Sequence, residues 1–170
     1  MSDQESNVSA AVKANQGTIS RFYQAFQDRN AEAMNACYAP DIKFSDPVFG
    51  PLEGDRVRAM WQMLNRPGGG GLELQYQVGA VAASAGSATW QAQYAAPGTG
   101  RPVDNHITSK FWFVDGLISR QEDTFDLWRW ASMALGPVGR LLGWTPMVQG
   151  QIHKSAVANL DKFIRDRPHT

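Results

Sequence analysis

Lys110-Phe111-Trp112-Phe113-Val114-Asp115-Gly116-Leu117-Ile118 is the stretch that decides the fold. An Asp-Gly pair between two apolar runs is a strong signal for a two-residue hairpin, because both turn residues must accept positive φ. It predicts strands over 103–114 and 117–125. Extended patterns also cover 87–96 and 72–83, with turns expected at Gly86 and at Pro97-Gly98-Thr99-Gly100. Four strands joined by short turns make an antiparallel meander.

Upstream of the meander the period changes. Val12, Ile19, Phe22, Tyr23 and Phe26 recur at helical spacing and predict a helix over 9–28. Asn30 suits the cap of a short helix over 31–38, closed before Pro40. Ile42, Phe44 and Asp46 alternate with Lys43 and Ser45 as a short strand stopped by Pro47. A third helix, 55–65, leads into Arg66-Pro67 and a flexible loop of four glycines, 68–71. Downstream, Asp126 caps a helix over 127–135 that stops at Gly136-Pro137. A glycine-punctuated bend reaches Trp144, and a last helix covers 146–165. Helices segregated from an antiparallel sheet define an α+β fold. A curved sheet wrapped around the first helix would leave a concave mouth for the closing helices to cover.

Bulk properties limit the functions open to such a domain. The 170 residues fit one domain, read as 9–170 behind a polar tail, 1–8, expected to be disordered. Lys plus Arg equal Asp plus Glu at 16 each, and the basic residues form no run, which argues against nucleic acid. The single cysteine, Cys37, forbids an intrachain disulfide and suits a reducing, cytoplasmic setting. No apolar run nears the roughly 20 residues of a membrane span, so no membrane partner is expected. No His pair has metal-ligand spacing, and the glycines at 68–71 lack the lysine of a phosphate loop. Neither metal nor cofactor is expected.

Three stretches carry a resemblance: Arg21-Phe22-Tyr23-Gln24-Ala25-Phe26, the run from Tyr38-Ala39-Pro40-Asp41 through Ile42-Lys43-Phe44-Ser45-Asp46-Pro47, and the hairpin quoted above. In their order and spacing they resemble the ketosteroid isomerase and SnoaL-like group of the nuclear transport factor two-like superfamily. The resemblance covers roughly 9–125 and implies a cone-shaped half-barrel, a curved, mainly antiparallel sheet around N-terminal helices with C-terminal closing helices. The tail, from Asp123-Thr124-Phe125-Asp126 on to Trp144-Thr145-Pro146, looks like a SnoaL-like subgroup of unassigned reaction. In the isomerases the Asp of the Asp-Pro pair is the proton-shuttling base, and Asp46 stands at that position. Their oxyanion hole takes a Tyr from the first helix and an Asp from a later strand. Phe22 and Ser109 occupy those places here, with Tyr23 one residue off and rotated by about 100°. Epoxide hydrolases of the fold use an Arg and an Asp on that strand, where this chain has Ile107 and Ser109. Asp123 resembles their last-strand Asp, and the last-strand base of SnoaL-like cyclases.

The expected site therefore rests on two carboxylates, Asp46 and Asp123. Asp46 at an Asp-Pro step reads equally well as a turn former. Asp123 shares its parity with Gln121, and in an apolar concavity desolvation would raise its pKa into the range of a base working near neutral pH. Phe22, Tyr23, Phe44, Trp61, Asn105, Ile107, Ser109 and Gln121 are the expected lining. Trp61, Trp128, Trp130 and Trp144 read first as packing of the closing helices, with Trp128 also placed as an aromatic wall. The ligand is expected to be a small apolar molecule, and the chemistry isomerisation, cyclisation or hydration. The alternative is a ligand-binding or dimeric interaction module. The sheet's outer face, taken to include Trp90 and Trp112, is expected to pair with a second copy.

Overall fold

The computed structural model describes residues 3–68 and 71–168. Helices α1 (Asp3–Gln27) and α2 (Ala31–Asn35) lead into strands β1 (Tyr38–Asp46) and β2 (Gly50–Glu53) and helix α3 (Asp55–Leu64). Strands β3 (Glu73–Val81), β4 (Ala85–Ala95), β5 (Pro102–Val114) and β6 (Leu117–Thr124) form the meander. Helices α4 (Leu127–Leu135), α5 (Pro137–Leu142) and α6 (Pro146–Asp166) close the chain.

The six strands form one curved, unclosed sheet in the order β2-β1-β6-β5-β4-β3. Only β1 and β6 run parallel; the other neighbours are antiparallel. The deciding hairpin is present: Val114 pairs with Leu117, and Asp115 and Gly116 take φ of 51° and 75°. On β5 the residues Val103, Asn105, Ile107, Ser109, Phe111 and Phe113 are buried, so one face looks inward along the whole strand. Helix α1 lies in that concavity and buries Ile19, Phe22, Tyr23 and Phe26. Their rings join Trp61 of α3, Trp90 of β4 and Phe111 of β5 in an aromatic cluster.

Several boundaries differ from the sequence reading. α1 reaches back to Asp3, so residues 3–8 of the expected disordered tail are helical; Asp3 and Glu5 in its first turn suit the positive end of the helix. Residues 1–2 of that tail and 69–70 of the glycine loop lie outside the described residues. Tyr38 belongs to β1, not to α2, and β2 and α5 are additional short elements. Gly86 is not a turn but a position within β4, where a Cβ would sit 3.0 Å from Ile19 Cδ1. Glycine there lets α1 approach the sheet.

Helix α6 packs beside α3 through Phe163, Ile164 and the buried Leu160. Arg56 pairs with Asp161 at 2.7 Å, and Arg167 pairs with Asp55. Helix α4 lies over the mouth of the sheet, where Ala134 packs with Ala96 and Val103.

Candidate functional site

Asp123 sits on the inward face of β6 because it is two residues from Gln121 and paired with Ser109 of β5. It is 4% exposed, and its Oδ1 atom accepts two hydrogen bonds, from Ser109 Oγ at 2.6 Å and Gln121 Nε2 at 3.0 Å. Each of those partners is held in turn. Ser109 Oγ accepts from Tyr23 Oη and from Trp90 Nε1, both at 2.9 Å. A hydroxyl has one proton and two lone pairs, and an indole N–H only donates, so these bonds leave the Ser109 proton for Asp123. Gln121 Oε1 accepts from Tyr38 Oη at 2.6 Å, and Tyr38 Oη accepts from Trp61 Nε1 at 2.8 Å. Two relays thus end on the same oxygen. Among the described residues no hydrogen bond reaches Asp123 Oδ2, which is left to carry or take a proton.

Burial pushes the Asp123 carboxyl up to about 7; the bonds from Ser109 and Gln121 pull it back, and the Asp46 charge adds to the rise. Burial also holds Tyr23 and Tyr38 well above the usual phenol range. Both stay neutral and serve as donors.

Asp46 ends β1 on the same face. Its Oδ1 accepts from the backbone N–H groups of Val48 at 2.9 Å and Phe49 at 2.6 Å. The turn-forming reading therefore holds, since this is an Asx turn around Pro47. The carboxyl is nonetheless driven up to about 6 by burial, against those two bonds and the nearby His153. In the parallel β1–β6 register Phe44 pairs with Gln121 and Ser45 with Glu122. Asp46 and Asp123 are the next residues along the two strands, and the Asp46 charge is felt at Asp123.

The mouth beyond the two carboxylates is formed by β4, β5 and α4. Asn105 is 6% exposed, and its amide makes no hydrogen bond among the described residues. Tyr94 Oη accepts from Trp130 Nε1 at 2.7 Å and ties α4 to the sheet. Burial raises the Tyr94 phenol, and Asp46 adds to that rise. His153 of α6 reaches the same corner, its Nδ1 3.0 Å from Val48 O.

Hydrogen bonds bring together Asp123, Ser109, Gln121 and Tyr23 of the expected site, Asp46 acts on Asp123 through its charge, and Asn105 is buried further along the inward face of β5. Ile107 is buried on the same face of β5, opposite Trp90. Phe22, Phe44 and Trp61 are buried in the aromatic cluster behind the carboxylates. Trp128 is not part of the site. It is 47% exposed on the outside of α4, where its Nε1 donates to Arg140 O at 3.1 Å. Trp144, read as packing of the closing helices, is 61% exposed. Trp90 faces inward, not outward, because the register sets it opposite Ile107. Trp112 does lie on the outer face, under the Arg120 guanidinium. Tyr38, Tyr94, Trp90 and Trp130 are site neighbours that the sequence reading missed. Their alternation with small or polar residues was visible, but not the register that turns them inward.

A hollow of about 320 Å³ lies on the outer side among Lys43, Ser45, Glu53, Arg120, Gln121 and Glu122. Another, smaller one lies among Glu73, Gln75, Gln91 and Gln93. Neither touches Asp46 or Asp123, and the aromatic cluster fills the centre of the concavity. No group of three or more His, Cys, Asp or Glu among the described residues could hold a metal ion. No described helix is long and apolar enough to cross a membrane.

No curated protein sequence matches the chain. Solved structures do. The LEH-like epoxide hydrolase of M. tuberculosis aligns at 20% identity over 80% of this chain and 97% of its own, with a TM-score of 0.56. The nuclear transport factor two-like protein of Burkholderia xenovorans LB400 aligns at 14% identity over 72% and 97%, with a TM-score of 0.58. TerC, co-crystallised with polyporic acid, aligns at 19% identity over 66% and 92%, with a TM-score of 0.56. At these identities the likeness speaks to the fold. The SnoaL-like domain matches residues 19–121, from the buried Ile19 of α1 to the Gln121 that holds Asp123. That match makes the chain a member of the SnoaL-like domain family, and its curved half-open sheet with the enclosed first helix shares the fold of the nuclear transport factor two-like protein.

Proposed function

We propose that the chain is a small-molecule enzyme that moves a proton on an apolar substrate by isomerisation, cyclisation or hydration, with Asp46 as base and Asp123 as acid. One observation carries the reading. Both hydrogen bonds that the described residues make to Asp123 end on Oδ1, leaving Oδ2 without a partner among them, and the Asp46 charge reaches this carboxyl. A neutral carboxylic acid fits this pattern, since Oδ1 accepts as a carbonyl while Oδ2–H points toward the mouth. Burial raises both carboxyls toward neutrality, Asp46 to about 6 and Asp123 to about 7. Between those values one group accepts a proton while the other donates to a developing oxyanion. The inward amide of Asn105 supplies a polar handle for the ligand. The names of the epoxide hydrolase and of TerC with its bound polyporic acid agree with small-molecule chemistry on this fold.

The filled concavity favours a second reading, a binding or interaction module without turnover. The two separate in a hydrogen–deuterium exchange assay in D2O on a panel of apolar, enolisable ketones. Exchange by the wild-type protein that Asp46→Asn abolishes supports the enzyme. Binding of a ketone without exchange, unchanged in Asp46→Asn and Asp123→Asn, supports the module.

A further inference from the structure

Nine large hydrophobic side chains are prominently exposed among the described residues, and six of them fall between 128 and 147: Trp128, Val138, Leu141, Leu142, Trp144 and Met147. Their exposure runs from 44% for Leu142 to 70% for Leu141 and Met147. They belong to one surface. Trp128 of α4 bonds to Arg140 O of α5, and Trp144 Nε1 donates to Leu141 O at 3.1 Å. Gly139 lets α5 lie on α4, since a Cβ there would meet Ala131 O at 1.9 Å. So concentrated an apolar patch marks a contact surface.

Charge selects its occupant. From 127 to 160 the sequence contains Arg129, Arg140, His153 and Lys154 and no Asp or Glu. Arg101 joins this group from the loop before β5, with its Nε bonded to Met133 O at 3.0 Å and its guanidinium against Gly136. The bond from Gln91 holds the Asp104 carboxyl down, with the charges of His106 and Arg129 adding to it, so Arg129 already faces an acid of its own chain. A two-fold pairing of this patch with itself would bring like charges together, because such an interface repeats the same residues on both sides. An anionic surface instead meets the apolar and basic features at once. Both exposed indole N–H groups already have carbonyl partners, so the rings can leave water without stranding a donor.

We propose that the α4–α5 hairpin and the start of α6 dock this protein on an anionic lipid surface. The chain then lies on the membrane without spanning it. This inference stands apart from the proton-transfer reading and is tested without turnover. The full chain is mixed with vesicles of phosphatidylcholine alone and of phosphatidylcholine with phosphatidylglycerol, then sedimented. Expected is co-sedimentation with the anionic vesicles, a blue shift of tryptophan emission, and loss of binding in raised salt. Leu141→Ser with Trp144→Ser lowers the partition at least about tenfold, and Arg101→Gln with Arg140→Gln weakens it and flattens its salt dependence. Circular dichroism checks that each variant is folded, with Met147→Ser as the milder substitute. No binding to either vesicle overturns the proposal. So does equal binding to both, and so does a solution dimer that the Leu141 and Trp144 changes dissociate while vesicle binding is absent.

Discussion

In the one parallel seam of the sheet β1 and β6 pair Ser45 with Glu122, the residues immediately before Asp46 and Asp123, and the Asp46 charge reaches the buried Asp123 carboxyl. Adjacent strands lie about 4.8 Å apart. Two inward acids so placed resist ionising together, and burial adds to the same pressure. Their titrations belong to the pair.

The pH dependence of turnover follows from that pairing. On the proposed acid–base reading, turnover needs Asp46 ionised, above about 6, and Asp123 protonated, below about 7. A narrow bell-shaped rate profile is expected between those limbs. Asp123→Asn retains a donor at the Oδ2 position but cannot titrate. Its profile should lose the alkaline limb, with a rate lowered by about 10–100-fold. A profile unchanged by the substitution would remove Asp123 from the acid role.

Stability should move with pH in the direction the raised carboxyl dictates. Asp123 has an ordinary carboxyl pKa, near 3.9, in the unfolded chain and about 7 when folded. Between these values the native state binds more protons than the unfolded state, so stability falls as pH rises from about 4 through about 7. Asp123→Asn preserves the acceptor for Ser109 and Gln121 without the charge. It should match the wild type near pH 4 and exceed it at pH 8, by on the order of a few kcal/mol. Urea unfolding at the two pH values checks the sign.

Ser109 is the junction of one relay, and its removal strands several groups at once. Ser109→Ala leaves the Tyr23 hydroxyl and the Trp90 N–H without their acceptor and takes a donor from Asp123. The expected cost is about 1–3 kcal/mol for each buried group left unsatisfied. The Asp123 carboxyl should also rise further, because one of the bonds that lowers it is gone. Chemical denaturation and the shifted acid titration read the two effects separately.

Gly139 tests how α5 is attached. A methyl group there would overlap the Ala131 carbonyl, which is backbone and cannot step aside. Gly139→Ala should lift α5 from α4 and quench less of the Trp128 indole, whose N–H relies on Arg140 O. Intrinsic tryptophan fluorescence should change while far-ultraviolet circular dichroism of the sheet persists.

Much of the fold could be read from local chemistry. The Asp115-Gly116 hairpin, the caps at Asn30 and Asp126, and the inward parity of Asn105, Ile107, Ser109, Gln121 and Asp123 all follow from neighbouring residues and appear in the structure. Gly86 was misplaced because a glycine serving a close helix approach has the same sequence signature as one serving a turn. Tyr23 reaches Ser109 although a helical wheel rotates it away from Phe22. Helix α1 is wrapped by the sheet on one side and packed against α2 on another, so a single apolar stripe underestimates its buried surface. Trp90, Tyr94 and Trp130 depend on a strand register and a helix docking that no short window contains.

Carbon-13 NMR of protein labelled at the aspartate carboxyl groups, followed from pH 3 to 9, tests the carboxylate pair most directly. Two resonances should titrate late, near 6 and near 7, with one lost in Asp46→Asn and the other in Asp123→Asn. In Asp46→Asn the surviving Asp123 carboxyl should titrate lower, since the Asp46 charge that raises it is gone. Two ordinary titrations completed below pH 5, each indifferent to the other substitution, would contradict the paired acid and base.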